Sequence, residues 1–409
     1  MSSRIVTPRV FVSAGEVSSD RYGAAVLREL SRRHAGLMAF GLGGAELRAA
    51  GLSPWADATA FAVTGLTEAV STIMPAARLA TRLAATLLGP MRPHLAILVD
   101  SPGINLRLAW LCRRAGVPVL QVVAPQRWAW LPGRAAALCG LVDALAVTLP
   151  FEEAWFRARG VPATFVGHPL IDELKAREDA DRLISEKFIL ERGDSISGEV
   201  GHGPVVPSLG DPPKDQGKVE LEEGARPLVL GLFPGSRRHE IARHLPLLEA
   251  AARRLPAYVV PVVAVSGIDG AALCQEIAPD LHAFPASQVR AMACVALAAS
   301  GSVTLELALA RVPQVVLYKL SRISYNLARF LVRVPYVALP NLILGRRLVP
   351  EFLQDAATPV TLAAAVGRLI DVPEDRRIQM EGYEEVREVL GGGGFAVGVA
   401  DLADRWLAG

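Results

Sequence analysis

Residues Leu228 to Glu240 read LVLGLFPGSRRHE, and this stretch decides the fold. An apolar, β-rich run is broken by Pro234-Gly235-Ser236 and followed at once by Arg237 and a segment of helical periodicity, which is the layout of a phosphate cradle. Gly235 lets backbone approach an anion, Ser236 is suited to cap the helix, and the unpaired N–H groups of a first helical turn face that anion. Roughly half a positive charge resides at such a helix start, and the Arg237 guanidinium adds a two-pronged contact to phosphate. A plain junction of strand and helix would also use Gly and Ser, so this stretch alone leaves both readings open.

Val295 to Leu309, VALAASGSVTLELAL, repeats the pattern with Ser300-Gly301-Ser302 between a strand and a helix. Two such cradles in one α/β domain predict neighbouring loops at the carboxyl edge of a parallel sheet, where such sheets bind nucleotides. Glu306, read as part of the first helical turn, would accept both hydroxyls of a ribose, and Ser302 and Thr304 would bond a diphosphate. The alternative for Glu306 is a carboxylate that only complements the helix dipole.

The 409 residues are 51% hydrophobic and 21% charged, enough for a large core and two domains. A formal net charge of +2 gives no general case for nucleic acid. Cys112, Cys139, Cys274 and Cys294 stand singly in apolar surroundings without metal-ligand spacing, which predicts buried thiols in a reducing compartment. The chain enters the strand RVFVSAG without a signal-peptide pattern and has no run of ~20 apolar residues. The expectation is a cytoplasmic protein, open to attachment at a membrane surface.

In order, Val10 to Ala14 reads as a strand, residues 15–20 as a polar loop, and the following segment to Leu30 as a helix, which opens a βαβ unit. GLGG does not make a dinucleotide fingerprint, because Glu46 stands where a third glycine is needed. Leu95 to Val99 is a continuous apolar strand ending in Asp100-Ser101-Pro102-Gly103, so the acid points into the crevice where ligands bind; capping the next helix is its other reading. Val117 to Val123 leads into Gln126-Arg127-Trp128-Ala129-Trp130, suited either to lining a sugar site or to packing at a domain edge. His168 has no nucleophile motif nearby and reads as structural. Asp179-Ala180-Asp181 matches a metal-transferase DxD pattern but follows no apolar strand, and reads as a solvated helix face. Gly193 to Gly224 is dense in Gly, Pro and charge, predicting a flexible linker or insertion. Pro246 is expected to restart the helix after the first cradle. Lys319 to Val334, with Arg322, Arg329 and Arg333 at helical spacing, fits an anionic membrane surface or a half-buried helix equally.

Taken together, SAGEVSSD, GLGG, VDSPGIN, APQRWAW, LPFE, GHPLID, FPGSRRHEI, ASGSVTLE and LPNLILGRRLVPEFLQ resemble the lipid-A-disaccharide synthase family in order and spacing over nearly the whole chain. Departures are small: Ser19, Ala124, Arg127 and Leu344 replace the glycine, serine, small aliphatic residue and alanine of the family pattern, while the polar stretch 193–224 is longer than the family requires. The resemblance implies an α/β GT-B glycosyltransferase with two Rossmann-like domains facing across a cleft. Such an enzyme joins UDP-2,3-diacylglucosamine to 2,3-diacylglucosamine 1-phosphate with inversion, releasing UDP and forming the β(1→6) disaccharide of lipid A, without cofactor or metal. The implied layout is an acceptor and membrane-facing domain at 1–172, a linker with the insertion at 173–226, a UDP-sugar domain at 227–360, and closing helices at 361–409 that pack back across both.

Under the resemblance, Asp100 is the catalytic base. The donor UDP falls to Gly235, Ser236, Arg237, Ser300, Gly301, Ser302, Thr304 and Glu306, and the sugar and acceptor to Glu16, Ser18, Gln126, Trp128, Asn341 and Arg346. The acylated substrates imply work at the cytoplasmic surface of the inner membrane, for which Val63, Leu66, Val70, Ile73 and Met74 form the candidate apolar face; ordinary core is their other reading, since helix-spaced apolar residues usually face inward. A homodimer is compatible with this reading, and nucleic acid is not an expected partner. A nucleotide-sugar epimerase, a murein-type transferase and a non-catalytic nucleotide-sugar-binding protein are the competing readings; the last has no use for a carboxylate at position 100.

Overall fold

The computed structural model describes residues 7–15, 17–57, 81–82, 84–87, 89–124, 138–176, 227–265, 267–320 and 335–407. The candidate membrane face from Val63 to Met74, the DxD triplet, the stretch 193–224 and residues 321–334 of the basic segment lie outside these. The chain divides into two units, one of residues 1–175, 331–333 and 390–409, the other of 176–330 and 334–389.

The first unit is built on a seven-stranded parallel sheet. Its elements run β1 (Arg9–Ala14), α1 (Val17–Arg33), β2 (Met38–Gly43), α2 (Ala45–Ala49), β3 (Ser53–Asp57), β4 (Leu95–Val99), α3 (Pro102–Arg114), β5 (Val119–Val122), β6 (Ala144–Val147), α4 (Pro150–Arg157) and β7 (Ala163–Phe165). The spatial order is β3-β2-β1-β4-β5-β6-β7, so the winding reverses between β1 and β4. Every residue of β4, β5 and β6 is buried, as expected of central parallel strands covered on both faces. The GLGG run belongs to this sheet. Gly41, at φ 144°, passes so close to β1 that a Cβ would lie 2.0 Å from the Val12 carbonyl oxygen. The Asp20 carboxylate accepts from Gly44 N at 2.6 Å and Glu46 N at 2.9 Å, holding the start of α2.

The second unit carries a six-stranded parallel sheet: β8 (Leu228–Phe233), α5 (Arg238–Ala252), β9 (Val259–Val265), α6 (Gly267–Ile277), β10 (His282–Pro285), α7 (Ala286–Met292), β11 (Val295–Ala299), α8 (Ser302–Leu309), β12 (Gln314–Tyr318), α9 (Leu339–Leu344) and β13 (Glu351–Leu353), then α10 (Pro359–Asp371) and α11 (Pro373–Leu390). Its order is β10-β9-β8-β11-β12-β13, and β8 pairs directly with β11. Pro246 does not restart a helix: α5 runs through it unbroken. An interior proline costs about 3 kcal/mol, and the buried row Ile241, Leu245, Leu248 and Ala251 on the same helix offsets that cost. Thr358 caps α10, accepting from Thr361 N at 3.1 Å with Pro359 in the first turn.

Of the closing segment 361–409, α10 and α11 stay in the second unit, while α12 (Phe395–Leu407) is part of the first. Phe395, Val399, Ala400, Ala403 and Leu407 enter the same core as Val10, Ile97 and Val122. Arg33 of α1 holds Asp401 and Asp404 at 2.7 Å each. The glycine run leads into α12 through left-handed Gly391, Gly393 and Gly394, and the Asp172 carboxylate accepts from Gly394 N at 2.6 Å and Phe395 N at 2.9 Å.

The cysteine expectation needs correcting at two positions, since Cys112 and Cys274 are buried but Cys139 and Cys294 are exposed. Burial pushes the Cys112 thiol up to about 12. Among the described residues, no helix is long and apolar enough to cross a membrane.

Candidate functional site

Each sheet presents polar loops where its strand order reverses. In the first unit these follow β1 and β4. Asp100 and Ser101 both adopt left-handed backbone, at φ 47° and φ 45°, and Val123 at the end of neighbouring β5 does so at φ 65°. Such a conformation costs an L-residue roughly 1–2 kcal/mol, so two in succession need support. That support lies directly beneath. Asn105, fully buried in the first turns of α3, donates from Nδ2 to the carbonyls of Val99 at 3.0 Å and Asp100 at 2.7 Å. Its Oδ1 accepts from Ser13 Oγ of β1 at 2.7 Å. Gln121 of β5 adds donation to Asp100 O at 3.3 Å and Val123 O at 3.2 Å. Net contributions of about 0.5–1.5 kcal/mol per bond match the strain in size. The N-cap position of α3 is held by Ser101, whose Oγ accepts from Gly15 N at 3.2 Å and so ties the β4 loop to the β1 loop.

In the second unit the loops after β8 and β11 stand side by side, because those strands pair from Val295↔Leu230 to Ala298↔Phe233. Gly235 is required by its backbone: φ is 112°, and a Cβ would lie 2.6 Å from Glu240 Oε2. The helix cap is not Ser236. Arg237 takes the N-cap position in extended conformation, and Glu240 reaches back so that its Oε2 accepts from both Ser236 N and Arg237 N at 3.2 Å. The two amides therefore converge on an anionic oxygen supplied by the protein itself. His244, buried in α5, sets its ring nitrogens 2.8 Å from Pro234 O and 3.2 Å from Lys319 O, fixing this loop to the end of β12.

The loop after β11 is more constrained than its sequence suggests. Gly301 and Ser302 are exposed, whereas Ser300 Oγ donates to Val337 O at 2.7 Å. Thr304, expected at the diphosphate, is fully buried; its hydroxyl donates to Gly301 O at 2.8 Å and accepts from Leu339 N at 3.2 Å. Glu306 lies in the second turn of α8, since the helix begins at Ser302. Its carboxylate forms an ion pair with Arg290 of α7, with side chains 23% and 12% exposed.

Asn341, expected at the sugar site, is bonded wholly within the second unit. It is fully buried, and all four of its hydrogen-bonding positions are taken: Oδ1 accepts from Leu348 N at 2.7 Å and Val349 N at 2.8 Å, and Nδ2 donates to Val349 O and Glu351 Oε1 at 2.9 Å each. Glu351 in turn accepts from Ala338 N at 2.7 Å. Arg346 lies on the exposed turn after α9 and pairs with Glu385 of α11 at 2.7 Å. Ser18 sits half-buried in the first turn of α1. Glu16, Gln126 and Trp128 lie outside the described residues. His168 is buried, accepts from Leu170 N at Nδ1, and is pushed down to about 4 by burial. Asn105, Gln121, Arg290 and Glu240 were not singled out from the sequence; of these only Glu240, three residues after the N-cap, carried a local signal.

Two parallel α/β units with polar loops at their switch points define the GT-B class, and solved structures agree on the fold. The calicheamicin glycosyltransferase CalG4 superposes with a TM-score of 0.53 at 17% identity, covering 98% of this chain and 99% of its own. The UDP-GlcNAc 2-epimerase of Neisseria meningitidis bound to UDP-GlcNAc gives 0.59 at 12% identity over 98% and 100%. Sequence then narrows the class to one family. Its model, lipid-A-disaccharide synthetase, matches residues 10–196 and 200–393. A lipid-A-disaccharide synthase of Geobacter metallireducens is 35% identical over 98% of this chain and 97% of the relative. The chain belongs to the lipid-A-disaccharide synthetase family, glycosyltransferases of lipid A biosynthesis.

Proposed function

We propose that the chain transfers 2,3-diacylglucosamine from its UDP carrier to the 6-hydroxyl of 2,3-diacylglucosamine 1-phosphate, with inversion. In this reading residues 1–172 form the acceptor and membrane-facing domain, 173–226 the linker, and 227–360 the donor domain. The Asp100 carboxylate takes the proton as the acceptor oxygen bonds to the donor anomeric carbon. The bond from that carbon to the diphosphate breaks, and its electron pair leaves with UDP. Base assistance of this kind is worth about 10²- to 10⁴-fold. The diphosphate lies against the N–H groups of Ser236 and Arg237, displacing the Glu240 carboxylate, with the Arg237 guanidinium and the exposed start of α8 meeting the charge that develops on UDP. Glu306, oriented by Arg290, accepts the ribose hydroxyls. Thr304, Asn341 and Arg346 have no part in ligand contact.

The observation that carries the reading is the pairing of β8 with β11, which sets two Gly/Ser loops beside each other at the switch point of the second sheet. Each buried acyl CH₂ costs ~0.8 kcal/mol to draw into water, so the reaction takes place with the enzyme resting on the cytoplasmic surface of the inner membrane. Mass spectrometry of products from purified protein and the two acylated sugars tests the proposal. The expected products are the disaccharide 1-phosphate and UDP; conversion of the UDP-sugar without the acceptor, or no conversion with both present, overturns it.

A further inference from the structure

Resting on the reading of Asp100 as base, we infer that Asn105, braced by Ser13 and Gln121, is a positioning residue that aims the Asp100 carboxylate. The direction of the Asp100 Cα–Cβ bond follows from its left-handed φ of 47° and from the planes of the two peptides that flank it. Asn105 Nδ2 grips the oxygen of that peptide at 2.7 Å and the preceding carbonyl, of Val99, at 3.0 Å. The amide therefore holds both ends of the residue carrying the base. Its own rotation is blocked, because Oδ1 is tied to Ser13 Oγ at 2.7 Å on the strand across the switch point. Gln121 bonds the Asp100 carbonyl from the other neighbouring strand, at 3.3 Å.

A purely structural amide would satisfy two strand-end carbonyls and leave turnover untouched. Here the buried donors stabilise a backbone that two L-residues otherwise avoid. Strain of this sort persists where the surroundings over-determine it, and the residue it displays is the acid assigned to proton removal. Asn105, Gln121 and Ser13 touch no substrate in this scheme. They act through Asp100.

The test is a double-mutant cycle on the full-length protein, read as kcat, donor KM and melting temperature with the two acylated glucosamine substrates. Asn105→Ala lowers kcat about 10- to 100-fold, the loss expected from displacing a reacting group by an ångström or so, with donor KM unchanged. In an Asp100→Asn background the same substitution costs nothing further, because the group it positions is gone. Gln121→Met and Ser13→Ala lower kcat in the same direction by smaller factors, and decide the matter if Asn105→Ala does not fold. Loss of activity in Asp100→Asn, with Asn105→Ala and Gln121→Met within threefold of the parent or with losses that multiply in the double variant, overturns the inference and leaves the base reading intact. An Asp100→Asn enzyme that keeps its turnover removes the base reading and this inference with it.

Discussion

Replacing Asn341 by alanine separates a sugar-binding residue from a structural one, and the geometry sets the expected size of the effect. The side chain makes four bonds of 2.7–2.9 Å at a fully buried position. Each contributes about 0.5–1.5 kcal/mol net, and truncation also strands buried polar groups at about 1–3 kcal/mol, so the second unit should lose about 3–5 kcal/mol. That is a large part of the 5–15 kcal/mol typical of a domain. The two units can be followed separately. All six tryptophans, Trp55, Trp110, Trp128, Trp130, Trp155 and Trp406, belong to the first unit. In urea, the tryptophan transition should therefore stay in place while a circular-dichroism transition from the second unit moves to lower denaturant. Hydrogen exchange gives the sharper reading, because the amides of Leu348 and Val349 donate directly to Asn341 and should lose protection first. A variant that unfolds within about 1 kcal/mol of the parent and keeps those amides protected, yet shows a raised sugar KM, would refute this reasoning and return Asn341 to the ligand.

Gly235→Ala combines a φ of 112° with a Cβ 2.6 Å from Glu240 Oε2, and should cost about 1–3 kcal/mol of stability and weaken UDP binding; equal UDP affinity by calorimetry contradicts the role given to this loop. Arg237→Ala and Glu306→Ala should each weaken UDP, the former more at low salt, and unchanged affinity in both removes the second unit as donor domain. His168 has its folded value depressed to about 4, so its contribution is complete above its ordinary 6.5 and is lost as pH falls from there toward 4, by about 3 kcal/mol in total. His168→Asn, which keeps an acceptor for Leu170 N, should flatten the stability difference between pH 7 and 4.5; an unchanged slope excludes this histidine as its source. Serine at Leu66, Ile73 and Met74 together should leave a folded protein that no longer sediments with anionic vesicles, whereas an unfolded product places these residues in the core, and undiminished sedimentation of a folded variant rejects the docking face.

The strands were legible in the sequence because central parallel strands are covered on both sides and leave uninterrupted apolar runs. Leu95 to Val99 is the clearest case, with Asp100 at its end. The two Gly/Ser loops were legible for the same reason, as breaks between an apolar run and a helix period. What escaped was decided by residues distant in the chain. A polar residue in an apolar segment reads alike whether it faces a sugar or the backbone; for Asn341 the choice rests on Leu348, Val349 and Glu351, which fold over it. Glu306 and Arg290 meet across two helices, and no periodicity links them. Pro246 obeys its local rule only until the buried face of α5 outweighs it. The Asn105 amide beneath Asp100 was hidden because its partners, Ser13 and Gln121, come from strands on either side of β4.

The return of α12 to the first sheet has a consequence for biosynthesis. The second unit draws almost wholly on one continuous span ending at Val389, whereas the first needs residues 390–409 to finish its core. A chain emerging from the ribosome thus reverses the usual order in which amino-terminal domains fold first. The strands of the first sheet appear early and wait, with the surface later covered by Phe395, Val399 and Leu407 open to solvent, until α12 is made. A chain cut within α12 would leave the second unit whole and the first unable to close, so such truncations should yield aggregated protein rather than a shortened enzyme.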